Sequence, residues 1–191
     1  ANMLIIFGLV TYATKGVSFG AIDPAIPNIF IPKAGRFPMI ILWAIIAVVV
    51  VWFIWNKTTF GKNLYAVGGN PEAATVSGIS VFKVTMGAFI MAGILYGFGS
   101  WLECLRMVGS GSAAYGQGWD MDAIAACVVG GVSFTGGIGK ISGVVTGVLI
   151  FTSLTYSLTI LGIDTNLQFI FEGIIILAAV TLDCLKYVQK K

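Results

Sequence analysis

The 191-residue chain contains no histidine. That removes Ser-His-Asp triads, most zinc sites and the commonest general base. Cysteine is nearly as scarce. Cys104, Cys127 and Cys184 fit no metal-binding spacing and cannot close into a paired disulfide set. Cys127 and Cys184 lie in or beside apolar runs and read as small packing residues. Charge is the third shortage, at 10% of residues, against roughly 25% for a soluble domain. The net charge of +3 comes from scattered basic residues, so no nucleic-acid surface is indicated.

What fills the chain instead is apolar: 58% of residues are hydrophobic and the mean hydropathy is +0.96. This composition implies an all-α, polytopic transmembrane protein. Phe37–Trp55 and Val84–Leu102 are uncharged runs of 19 residues each, long enough at 1.5 Å per residue to approach the roughly 30 Å of a bilayer core. Trp43, Trp52 and Trp55 lie toward the ends of the first, where indoles favour the headgroup boundary. Asp122–Gly139 is apolar but short and Gly-rich, Ile141–Ile163 is uncharged, and an apolar stretch from Thr165 through Leu182, reaching residue 187, closes the series. That makes about five crossings, one of them a short broken one. Ala1–Thr14 is apolar over 14 residues, less than the roughly 20 a span needs, and lacks the basic start of a signal peptide. It reads as part of a sixth helix, with more protein upstream. Between it and the first span, Lys15–Arg36 reads as a loop. Pro24, Pro27, Pro32 and Pro38 oppose any helix there, and Gly16, Gly20 and Gly35 supply turns.

Counting cations sets the orientation. With 56–83 and the tail on one side, that side holds Lys57, Lys62, Lys83, Lys140, Lys186, Lys190 and Lys191. The other holds Lys15, Lys33, Arg36 and Arg106. The positive-inside rule places the richer side, with the C-terminus, in the cytoplasm. The parity holds only if 122–139 crosses.

The most polar internal stretch, NLYAVGGNPEAATVSGISVFKV (Asn63–Val84), lies within this cytoplasmic loop. Asn70 suits a helix cap, Pro71 the first turn, and Glu72 the positive end of the helix dipole. Ala73, Ala74 and Val76 carry the helix, and Gly78 suits a left-handed end. Such a helix can grip a soluble partner, or can be a linker that folds neatly.

Val128–Lys140, VVGGVSFTGGIGK, is the other unusual stretch. It is not a phosphate loop: Phe134 stands where the first Gly belongs, and Ile141, not Ser or Thr, follows Lys140. Gly137-Ile-Gly139 is followed by no third Gly of a dinucleotide fingerprint. Non-helical backbone at membrane depth is tolerated only where protein or a water-filled cavity covers it, and transporters place broken helices near the substrate path. Gly130, Gly131, Ser133, Phe134, Gly136 and Gly137 are therefore candidate path residues. The competing reading is close helix packing, which suits Gly139, Gly143 and Gly147 at spacing four, and Gly93 with Gly97. Glu172 is the one acid well inside a span, a costly placement that implies a cavity or a partner, and it joins the candidate path residues. Asp122 reads as the cap of the short crossing, Glu103 and Arg106 as an exposed pair, and Thr152, Thr155 and Tyr156 as either a polar lining or self-bonding side chains.

NKTTFGKNLYAVGGNPEAATVSGISV (Asn56–Val81), DAIAACVVGGVSFTGGIGK (Asp122–Lys140) and the closing LDCLKYVQKK (Leu182–Lys191) together resemble the permease subunits of bacterial monosaccharide ATP-binding-cassette (ABC) importers. The likeness is greatest to the galactose/methyl-galactoside branch and to its C-terminal part. It implies a cytoplasmic coupling helix on Gly69, Asn70, Pro71, Glu72, Ala73, Ala74, Ser77 and Gly78, docked on a separate ATP-binding subunit. It also implies a path near Val128–Gly139, a second permease copy, a periplasmic sugar-binding protein and an inner-membrane location. ATP would belong to the partner, with no cofactor or metal in this chain. An ion-coupled carrier or channel, with Glu172 as its only in-membrane acid, is the alternative. A membrane enzyme is opposed by the missing histidine and the lack of a clustered nucleophile and base.

Overall fold

A computed structural model describes residues 2–17, 23, 25–31, 33–34, 37–107, 111–112 and 115–188. Helices dominate. In chain order they are α1 (Asn2–Thr14), α2 (Ala25–Phe30), α3 (Ile40–Lys57), α4 (Thr59–Gly69), α5 (Pro71–Val76), α6 (Val81–Arg106), α7 (Trp119–Val129), α8 (Ile141–Ile160) and α9 (Thr165–Val188). Two short strands, β1 (Lys33–Ala34) and β2 (Phe37–Pro38), pair antiparallel with Lys33 opposite Pro38 and Ala34 opposite Phe37. A polytopic helical membrane protein fits: α3, α6 and α8 are each long and apolar enough to cross a bilayer.

Several boundaries differ from the sequence reading for local reasons. The proline-containing loop holds a helix, α2, because Pro27 falls in its first turn, where a missing N–H costs nothing. Asp23 opens that helix by accepting from the Ala25 N–H at 2.9 Å. The first span begins at Ile40 instead of Phe37, since Phe37 and Pro38 belong to the strand pair. Pro24, Pro32, Gly20, Gly35, Arg36, Lys190 and Lys191, all used in the sequence reading, lie outside the described residues. The segment 56–83 carries two helices, not one. Its first, α4, is opened by Thr58, whose hydroxyl accepts from Gly61 N at 3.4 Å. A side chain on Gly61 would collide with the Trp55 carbonyl, so glycine permits the tight α3–α4 turn.

The chain divides into two compact units. One comprises residues 1–50 and 86–117, the other 51–85 and 118–191. The first is organised by aromatic rings. Trp101 meets Phe30 edge-on at 5.1 Å, Trp43 meets Phe98 at 5.9 Å, and the Trp43 indole N–H donates to the Phe30 carbonyl at 3.0 Å. The second is organised by close helix packing of α7 against α8 and α9, around buried Ala125, Ala126 and Phe151 with Ile176 against them. The helix α7 ends because Gly131 adopts φ 82°, and the Val132 N–H reaches back to the Cys127 carbonyl at 3.0 Å. With 11 residues it is about 16 Å long, and irregular backbone follows it to Lys140.

Candidate functional site

The 59–78 segment is built from its caps. Asn70 closes one helix and opens the next: its N–H donates to the Ala66 carbonyl at 3.0 Å, and its Oδ1 accepts from the Ala73 N–H at 3.0 Å. Pro71 takes the first position of α5 and Glu72 its first turn. Gly78, at φ 80°, ends the helix while the Ile79 N–H reaches the Ala74 carbonyl at 3.0 Å. A single residue joins α4 to α5, so the pair forms a short elbow with little slack. Its faces are unequal. Ala74 is only 4% exposed and serves the interior of the unit, whereas Val76 stands 90% exposed. Gly69, Asn70, Pro71, Glu72, Ala73, Ser77 and Gly78 share the exposed surface.

The Gly-rich segment 130–139 packs closely on its surroundings. A Cβ on Gly130 would lie 2.5 Å from the Gly143 carbonyl oxygen, and one on Gly147 would fall on the Ala126 carbonyl oxygen. Two residues of the predicted spacing-four face, Gly143 and Gly147, are thus packing glycines on α8, and Gly130 is their counterpart at the end of α7. Gly139 precedes α8 and lies against Val132 instead. Among the described residues, Gly93 and Gly97 have no neighbour within 4 Å of an added Cβ. The turn is stitched by Ser133, which is buried: its N–H donates to the Ile138 carbonyl at 3.0 Å and its hydroxyl meets that of Thr135 at 2.8 Å. Phe134 is 53% exposed.

The two candidate sets meet. A Cβ on Gly137 would lie 2.7 Å from Gly69 N and Cα, and one on Gly136 would lie 2.5 Å from the Gly68 carbonyl oxygen. Beside this contact the Tyr65 hydroxyl donates to the Gly139 carbonyl at 2.8 Å. Glu172 is elsewhere in the unit, 8% exposed on α9, with its carboxyl beside that of Asp122 on α7. Asp122 is therefore not the cap of α7. That helix begins three residues earlier than expected, and Gly118, with φ 89° and no side-chain bond, occupies the cap. Asp120 and Asp122 fall in the first turn, where the helix dipole still favours them. Among the described residues no three metal-ligating side chains converge.

Residues 1–180 match the family described as the permease component of the branched-chain amino acid transport system. The chain belongs to this permease family. The galactose/methyl galactoside import permease protein of Treponema pallidum (strain Nichols) is 55% identical over 100% of this chain. Its counterpart in Escherichia coli (strain K12) is 52% identical over 82%, and the L-arabinose transport system permease protein of the same organism is 35% identical over 100%. The chain spans 37%, 46% and 57% of these three relatives respectively. No solved structure matches it.

The chain also has features that its sequence did not expose. Glu103 and Arg106 pair as expected, with Arg106 Nε to Glu103 Oε2 at 2.8 Å, but Tyr115 joins them, donating to Glu103 Oε1 at 2.5 Å. That bond raises the Tyr115 pKa above its ordinary value. Nearby, an open cavity of about 580 Å³ is walled by α1, α6 and the 115–117 turn, with Tyr96, Ser100, Tyr115 and Gln117 as its polar lining. Three segments distant in sequence build it, so no single stretch announces it. Thr155 donates to its own helix, to the Phe151 and Thr152 carbonyls, as hydroxyls in apolar helices commonly do. Tyr65 and Gly68 lie inside the Asn56–Val81 motif but were given no role there, and only their contacts mark them.

Proposed function

We propose that this chain forms part of the permease of an ATP-driven sugar importer of the galactose/methyl-galactoside type. The observation that carries the reading is the 55% identity, over the whole chain, to a galactose/methyl galactoside import permease. In this reading α4 and α5 form the cytoplasmic coupling element. ATP is bound and hydrolysed by a separate subunit that docks on Asn70–Gly78, with exposed Val76 at the centre of the contact. Five crossings from Phe37 onward, one of them the broken segment α7 plus 130–140, put the C-terminus in the cytoplasm and the chain in the inner membrane. Two permease copies line the pore, and a periplasmic binding protein delivers the sugar along a path near Gly130, Gly131, Ser133, Phe134, Gly136 and Gly137. The chain moves its substrate without covalent chemistry.

The test is a disulfide crosslink between Val76→Cys, in a background lacking Cys104, Cys127 and Cys184, and the co-expressed ATP-binding subunit. Val76 is the probe position because it is exposed, whereas the Ala74 side chain is turned inward. A crosslink whose yield changes with ATP supports the coupling role. Sound assembly with no crosslink at Val76, Ala73 or Ser77 removes it. Sugar uptake that follows the proton gradient instead, and is abolished by Glu172→Gln, establishes an ion-coupled carrier.

A further inference from the structure

The coupling element and the Gly-rich segment touch through bare backbone, with one long-range side-chain bond beside the contact. Gly68 and Gly69 end α4 against Gly136 and Gly137. No side chain fits between them: a methyl on Gly68 would lie 2.7 Å from Gly137 N. The Tyr65 hydroxyl, one turn earlier on α4, donates to the Gly139 carbonyl at 2.8 Å, a bond spanning 74 positions of sequence. Gly139 leads directly into Lys140, the first cap residue of α8. Gly130, at the other end of the segment, is locked against Gly143 and Gly147. Directly after Gly69, at this same end of α4, Asn70 joins it to α5 without a linker.

Contacts of this kind transmit displacement. A side-chain interface yields by rotamer change, whereas backbone against backbone has no such freedom. A push on α5 therefore moves the end of α4, and the end of α4 cannot move without the 136–139 backbone. We propose that Tyr65 and the Gly68–Gly137 contact form the rigid link through which motion of the coupling helix reaches the start of α8 and the end of α7. Tyr65 is a positioning residue in this scheme. It fixes the register of α4 on the Gly-rich turn and touches neither sugar nor nucleotide. The inference rests on the coupling role given to α5 above.

The experiment uses the assembled importer in proteoliposomes, comparing Tyr65→Phe and Gly68→Ala with the unaltered protein. Two rates are read, ATP hydrolysis and sugar uptake, and their ratio is the measure of coupling. Tyr65→Phe keeps the ring and removes one hydrogen bond of about 1 kcal/mol, so the sugar moved per ATP should fall about fivefold. ATP hydrolysis without sugar and the amount of assembled complex should stay as in the unaltered protein. Gly68→Ala, which forces the contact apart, should fall further. An unchanged ratio in both variants overturns the link. So does a loss of assembled complex in both variants when the surviving fraction remains fully coupled, since the contact is then only structural. The Val76→Cys crosslink separates the two failures: its absence removes the coupling role itself, while its presence with an unaltered ratio in Tyr65→Phe removes the link alone.

Discussion

Two glycine pairs in this chain have the same spacing and opposite surroundings. Gly143 and Gly147 on α8 are pressed against the end of α7, so closely that Gly147 has the Ala126 carbonyl where a Cβ would be. Gly93 and Gly97 on α6 face open space among the described residues. Spacing four marks a smooth stripe in both, but a stripe is an interface only when another backbone arrives to use it. In α8 that backbone is supplied by α7, itself stopped at the right place by Gly131.

The largest expected effect tests this contrast directly. Gly147→Ala should destabilise the chain by about 3 kcal/mol, since its methyl meets a carbonyl that can retreat only by opening the α7–α8 seam. Gly97→Ala should instead stabilise α6 by about 0.5–1 kcal/mol through its lower backbone entropy. Thermal unfolding in detergent reads both, and the check is the opposite sign. If Gly97→Ala also destabilises, the α6 stripe is covered by protein beyond these residues, and the contrast collapses.

A smaller effect is expected where local bonds, not packing, fix the structure. Asn70→Ala removes the side chain that opens α5 while leaving the seam intact. It should cost about 1 kcal/mol, read as faster amide exchange at Ala73 and Ala74, with the α7–α8 amides unaffected. Spread of the change into α7 and α8 would show the elbow and seam to be one cooperative unit.

The smallest effect lies in the unit that holds Gly97, at Tyr115. Its hydrogen bond to Glu103 raises its pKa. The bond therefore contributes fully below the ordinary phenol value and is lost as pH rises through the higher folded value. Tyr115→Phe should lower the melting temperature slightly near neutral pH, and the difference should vanish well above about pH 10. A difference that persists there would assign the role of Tyr115 to its ring instead of its hydroxyl.

Much of the local architecture was legible in the residues. The Asn70–Pro71–Glu72 opening and the Gly78 ending of α5 follow from side-chain and backbone chemistry within a few positions, and the structure has them as read. The Glu103–Arg106 pair is equally local. The reading failed where local rules compete. Pro27 signalled a loop but sits in the one helical turn that accepts it. Asp122 signalled a cap, yet a left-handed Gly118 starts the helix earlier and leaves Asp122 free to meet Glu172. Of the candidate site, the residues were visible but their juxtaposition was not, because Tyr65 and Gly139 are far apart in sequence.

The sequence by itself determined the solvent and the punctuation of this protein. Scarce charge and long apolar runs dictate a membrane environment, and glycine, proline and asparagine at particular positions decide where helices start and stop. These are one-residue or one-turn energies, which need no knowledge of the fold. Tertiary structure alone decided which surfaces are used: that Ala74 turns inward while Val76 turns out, that Glu172 has Asp122 as its partner, and that Gly68 and Gly69 rest on Gly136 and Gly137. The physical reason is that burial and close approach belong to pairs of elements, and the identity of the second element is written nowhere in the first.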